Sequence, residues 1–281
     1  MRNSLFFSAI LAILPAVASA GLITVDGSAT DWGLARNGSA SDWTPSPQLG
    51  LLPGVHYTVE DQTGGANTRL TPGYGGQTYD AEAMYLYVDS THLYIGLSTG
   101  LSPLTVNDPR ANSYASGDFA LDFGQDGSFE MGIKVLGQQA GAVFEVAKWD
   151  YGIWDLAGNH SQANPDRRHP TSILEGELVG WGDLVYSEVP VKGRGAWKND
   201  AHYFIEASAP LSLFSDYAGQ KFDVHWTMNC ANDAISADPE IPMPAVVDEP
   251  VSLGLLGVGA LGLLLTRRRH APRAKAELAV S

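Results

Sequence analysis

Apolar and polar positions alternate with a period of two along most of the chain, and the alternation comes in short blocks separated by turn residues. Period two puts successive side chains on opposite faces of an extended strand, so each block reads as a half-buried strand. "AMYLYV" (Ala83–Val88) and "HLYIGLS" (His92–Ser98) are joined by "DST", which predicts a hairpin. "DFALDF" (Asp118–Phe123) and "FEMGIKV" (Phe129–Val135) flank "GQDGS", a second hairpin with Asp-Gly in its turn. "LITVDG" near the start and "AVFEVAKW", "SILEGELV", "DLVYSEV", "YFIEASA" and "FDVHWTM" further on continue the beat. "PLSLFSDY" (Pro210–Tyr217) is the one segment that reads as a short helix. Many short strands at even spacing predict an all-β fold, an antiparallel β-sandwich of jelly-roll type. The pattern weakens between Asn37 and Gly76, where Pro, Gly and Ser predict a long surface excursion. From Asn229 to Pro250 the chain leaves the fold in a Pro-rich stalk.

Both ends depart from this beat. Arg2, the apolar "LFFSAILAILPAVA" and the small-residue "ASA" before Gly21 form a secretory signal peptide, residues 1–20. Val251–Thr266 carries no charge over 16 residues and is followed at once by Arg267, Arg268 and Arg269. At ~1.5 Å per residue the run reaches roughly 24 Å as a helix, and arginine stems extend a short span by snorkelling. A transmembrane helix over 251–266 with a basic cytoplasmic tail over 267–281 is therefore expected. The body would be a single β-sandwich domain over 21–240, followed by a stalk and sorting motif over 241–250.

Charge sharpens the division. Of 17 basic and 31 acidic residues, six basic ones (Arg2, Arg267, Arg268, Arg269, Arg273, Lys275) and one acidic one (Glu277) lie outside 21–250. The exported part keeps 11 basic and 30 acidic residues, a net charge of −19. Such a surface repels nucleic acid and suits divalent cations and neutral glycans. Cys230 is the one cysteine, so stability must come from the core or a bound metal rather than a disulfide.

Three groups of residues carry candidate chemistry. Asp118, Asp122 and Asp126 recur every fourth residue. On a strand Asp118 and Asp122 share a face, with Phe119, Leu121 and Phe123 turned to the core, and Asp126 falls in the turn. Ca²⁺ takes several carboxylate and carbonyl oxygens, so these three are metal candidates; the alternative is an acidic outer face with an ordinary turn. "KWDYGIWD" (Lys148–Asp155) gathers Trp149, Tyr151 and Trp154, rings on which the CH face of a sugar would pack, unless they fill the core instead. The seven histidines form no close metal-binding pair; His160 and His169 lie in a polar loop, and His225 reads as a buried, hydrogen-bonded imidazole. No nucleophile elbow or phosphate-binding glycine loop is present, and the offset between His225 and Cys230 sends them to opposite faces.

Two resemblances complete the reading. The C-terminus, with Asp248-Glu249-Pro250, an apolar span and Arg267–Arg269, resembles the PEP-CTERM sorting signal, with Asp248 where that signal has its first proline. The resemblance implies an exosortase-type processing enzyme as partner, an inner-membrane anchor with a periplasmic domain, and later release to the cell surface or extracellular matrix beside exopolysaccharide. "ITVDGSATDWG" (Ile23–Gly33), "HLYIGLS", "GDFALDF" and the Tyr203, Glu206, Pro210, Leu211 pattern resemble family nine carbohydrate-binding modules and DOMON-like domains. That implies a sandwich binding module without catalysis, and no particular ligand. The expected function is a non-catalytic exported surface protein that binds polysaccharide. The alternatives are a structural matrix or biofilm protein without a ligand, and a glycan-cleaving enzyme.

Overall fold

The computed structural model describes residues 23–34, 42–45, 54–61, 75–152, 169–188, 190, 192–195 and 199–245. The chain divides into two compact units, Met1–Pro244 and Ala245–Ser281. Among the described residues no helix is long and apolar enough to cross a membrane. The signal-peptide, sorting-motif and apolar-span residues, with Asp248, Glu249, Pro250 and Arg267–Arg269, lie outside the described residues.

Eleven described strands form two antiparallel sheets. They are β1 (His56–Val59), β2 (Ala81–Val88), β3 (His92–Thr99), β4 (Phe119–Phe123), β5 (Met131–Ile133), β6 (Ala142–Asp150), β7 (Ser172–Trp181), β8 (Asp183–Tyr186), β9 (Tyr203–Pro210), β10 (Phe222–Thr227) and β11 (Ala234–Ala237). One sheet runs β1-β2-β3-β9-β8 and the other β11-β10-β4-β5-β6-β7. The two expected hairpins are present: Tyr87 pairs with Tyr94 in β2–β3, and Phe119 with Ile133 in β4–β5. Pro210–Tyr217 turns out as a 3₁₀ segment over Leu211–Tyr217 that drops Leu211 and Phe214 into the core.

The period-two pattern decides which side chains meet between the sheets. Met84 and Leu86 of β2, Leu93, Ile95 and Leu97 of β3, and Ile205 and Ala207 of β9 point inward. They meet Phe119, Leu121 and Phe123 of β4 and Val224 and Trp226 of β10. Burying each such side chain contributes roughly 1.5–3 kcal/mol. The odd positions of the five-stranded sheet are covered as well. Ala83, Tyr85, Tyr94 and Phe204 pack under Ile23, Trp32, Leu34 and Trp43, so the N-terminal segment forms a second apolar layer on the outer face. This is why β2 and β3 read as nearly continuous apolar runs. Trp32 lies over Gly96, where an added Cβ would come within 2.9 Å of the indole.

Three segments differ from their sequence reading, each for a local reason. Residues 23–27 form no strand, because the amides of Asp26, Gly27 and Ser28 donate to the buried Glu206 carboxylate instead of a strand neighbour. β1 arises inside the expected surface excursion and pairs its His56–Val59 with Leu86–Ala83 of β2. β11 arises inside the expected exit segment, pairing with β10, and the chain stays attached as far as Met243, which is buried and exchanges backbone bonds with Gly219 and Gln220.

Candidate functional site

The acidic strand β4 is the natural place to look first, and its carboxylates are already occupied. Asp118 Oδ1 accepts from Val135 N at 3.0 Å and Oδ2 from Ile173 N at 2.9 Å, while Lys134 Nζ lies 3.1 Å from Oδ2. Asp122 accepts from the amides of Asp126 (3.1 Å) and Gly127 (2.8 Å), tying the hairpin turn back onto the strand. Asp126 accepts from Ser128 N, and those bonds hold its carboxyl below the usual range. Phe119, Leu121 and Phe123 do face the core, but Asp118 and Asp122 are buried rather than solvent-facing. The three carboxylates are not among the described groups whose oxygens converge closely enough to share an ion.

Of the aromatic candidates, Trp149 is held by packing. Trp149 is only 7% exposed. Its Nε1 donates to Phe129 O at 2.8 Å, and its ring lies against Gly132, where a Cβ would sit 2.6 Å from it. With Ala120, Phe144 and Ile173 it builds a small apolar layer on the outside of the six-stranded sheet, against which the half-buried Tyr151 packs. Trp154 and His160 lie outside the described residues.

His225 is buried, as its strand position implied. Its Nδ1 pairs with Ser236 Oγ at 2.9 Å, its ring stacks on His169, and burial pushes it well below the usual imidazole range. Cys230 points into the main core, donates to Asn232 Oδ1, and burial pushes its thiol up to about 12, so it is a packed side chain and not a thiolate nucleophile.

Two features gather instead around one end of the five-stranded sheet. The first is an open pocket of about 250 Å³ lined by Gly27–Thr30, Trp43, Ser98, Arg194 and His202–Phe204. Arg194 lies over the Trp43 ring, 5.4 Å from its centroid. Trp43 is buried, and its indole Nε1–H has no hydrogen-bond acceptor. Beside the pocket, Glu206 accepts from three backbone amides and from Trp32 Nε1 at 2.7 Å. Burial nevertheless pushes it up to about 7. The tyrosine–glutamate–proline–leucine pattern thus has a visible role: its Glu206 clamps the "VDGS" turn onto β9.

The second feature is a nest of buried carboxylates. Glu82 on β2 is fully buried, bonded to His202 Nδ1 and Gln77 Nε2, and accepts from Ser98 Oγ at 2.6 Å. Asp61 and Asp80 stand beside it, and Glu60 and Asp233 stand beside Asp80. Glu60 and Asp61 directly follow β1, and their two amides share the Glu82 carbonyl, a bulge in which two residues face one. Asp61 takes a left-handed backbone (φ 41°), which lets consecutive carboxylates both turn toward Asp80 instead of to opposite faces. Asp233, at the start of the β11 hairpin arm, accepts from Ala81 N at 2.8 Å. Burial, then the neighbouring carboxylates, push Asp80 up to about 10. Sequence reasoning missed this nest because Glu60 and Asp61 fall in the expected excursion and Asp233 in the expected exit. The close Asp80-x-Glu82 pair at a strand start was its one visible trace.

With that geometry in hand, the chain was compared with protein-family models and with curated proteins, and neither comparison found a match.

Proposed function

We propose that the chain is a non-catalytic exported surface module that binds a neutral glycan unit in the pocket at the end of the five-stranded sheet. The observation that carries the reading is the open pocket itself, where the Arg194 guanidinium lies over the Trp43 ring beside the hydroxyl-bearing Ser28, Thr30 and Tyr203. Ser28, Thr30, Ser98, Arg194, His202 and Tyr203 add hydroxyl, guanidinium and imidazole groups suited to sugar hydroxyls, while Phe204 and Trp43 supply apolar surface. The volume is a little under the ~300 Å³ at which drug-sized pockets begin, so it suits one ring or a chain end. Among the described residues lining it there is no carboxylate, which favours binding over glycoside cleavage, a reaction that needs two facing carboxyls. The net charge of −19 on the exported part favours a neutral over an acidic glycan. The reading also keeps the signal peptide, the anchor span and an exosortase-type processing step at Asp248-Glu249-Pro250, which would place the module at the cell surface beside exopolysaccharide.

Glycan-array and calorimetric titration of the full chain test the sugar. Arg194→Ala, which removes the guanidinium lining the pocket, should weaken binding roughly tenfold. Trp149→Ala should leave affinity unchanged. The reverse result moves the site to the outside of the six-stranded sheet, and no glycan binding at all leaves a structural matrix protein. Mass spectrometry of the native protein from fractionated cells tests processing: two intact termini on a cytoplasmic chain would overturn export.

A further inference from the structure

The geometry points to a calcium-class divalent cation site centred on Asp80, built by Glu60, Asp61, Asp80, Glu82 and Asp233, that staples the two sheets together. Clustered acids alone are common on acidic proteins. The deciding observation is Asp80 itself, which is 0% exposed while neither of its carboxylate oxygens has a hydrogen-bond partner. A buried carboxylate without donors is among the most unfavourable arrangements in a protein interior, and it is tolerated where a metal completes it. Asp118, equally buried, shows the ordinary solution in the same molecule: two amides and a lysine.

The distances agree with an ion. Oxygens of Asp80, Glu60 and Asp233 all lie within 4.8 Å of one another, and so do oxygens of Asp80, Asp61 and Glu82. Two oxygens bound to one Ca²⁺ at ~2.4 Å lie at most ~4.8 Å apart, so each triad fits around a single centre, and both contain Asp80. All ligands are hard oxygens, which selects Ca²⁺ over a thiolate- or imidazole-seeking metal. The His202 imidazole is bonded to Glu82 and not to Asp80.

The ligands come from three places: the bulge after β1, the start of β2, and the turn before β11 on the opposite sheet. An ion there joins both sheets and the long excursion, in a domain whose single cysteine excludes an internal disulfide. The role is structural, and it does not depend on whether a sugar occupies the neighbouring pocket.

The test is titration of the EDTA-stripped full chain with CaCl₂, followed by calorimetry and by thermal unfolding. Millimolar Ca²⁺ should raise the midpoint by at least about 4 °C. Asp80→Asn, nearly isosteric and relieved of one buried charge, should fold and lose at least about tenfold in Ca²⁺ affinity. Should it fail to fold, Glu60→Gln, on the half-buried loop, should give the same loss. Asp122→Asn should keep the wild-type response. No heat and no shift for the wild type overturn the site. So does wild-type affinity in both Asp80→Asn and Glu60→Gln, or loss of response in Asp122→Asn alone.

Discussion

Asp118 and Asp80 are both aspartates at the threshold of a strand, both buried, and they are bonded in opposite ways. Asp118 accepts from Val135 N, Ile173 N and Lys134, stitching β4 to the segment after β5 and to β7. The Asp80 side chain meets four other carboxylates, and its carboxylate accepts from no donor. The contrast teaches that acidic residues on a sheet are assigned to structure or to a ligand by their donors, not by their spacing. The evenly spaced Asp118, Asp122 and Asp126 look like a ligand set and serve as turn and strand ties. In the scattered group, Asp80 has carboxylate oxygens without a hydrogen-bond partner.

Breaking each side separately should show the difference, and the largest effect is expected at Asp118. Asp118→Ala removes an acceptor from two buried amides and leaves Lys134 without its partner, so unfolding stability should fall by about 3–5 kcal/mol. Its Ca²⁺ response should survive. Chemical denaturation with and without Ca²⁺ measures both, and loss of the response would merge the two regions into one.

Next in size is Glu206, which lies between the two extremes: well supplied with donors, yet raised by burial from an ordinary 4.5 to about 7. The folded state takes up a proton that the unfolded state lacks between those values. Its contribution to stability is therefore present below about pH 4.5 and lost as the pH rises through about 7, by of order 3 kcal/mol in total. Glu206→Gln should flatten that part of the stability–pH curve, as read by denaturation at several pH values. An unchanged slope would mean that the four donors hold Glu206 ionised throughout.

A smaller effect is expected at Gly96, beneath Trp32. Gly96→Ala places a Cβ 2.9 Å from the indole and should cost about 1–3 kcal/mol by overpacking, seen as a lower thermal midpoint. Asp126 closes the series. It is exposed and its carboxylate bonds only to Ser128 within its own turn, so Asp126→Ala should leave the midpoint and the Ca²⁺ titration essentially unchanged.

The strands that carry most of the core were legible because their pattern is local. In "YFIEASAP" the inward Ile205, Ala207 and Ala209 alternate with Phe204, Glu206 and Ser208, and any reading by period two recovers the face. β1 and β11 were not legible. Each is four residues long and set among Pro, Gly or Asp, too short for a period to appear, and each exists because β2 or β10 offers it a partner edge. Trp149 was legible as an aromatic and not as a buried one, since what hides it is the absence of a side chain at Gly132 on another strand.

The amino-acid order by itself determined the all-β class, the two hairpins, the inward faces of the long strands and the strongly acidic balance, because each depends on neighbours one or two positions apart. Tertiary structure alone decided which carboxylates are satisfied. Glu60, Asp80 and Asp233 meet only when the turn before β11 on one sheet closes over the start of β2 on the other, and hydrogen-bond donors for a buried group are set by what packs against it in space, not by what precedes it in the chain.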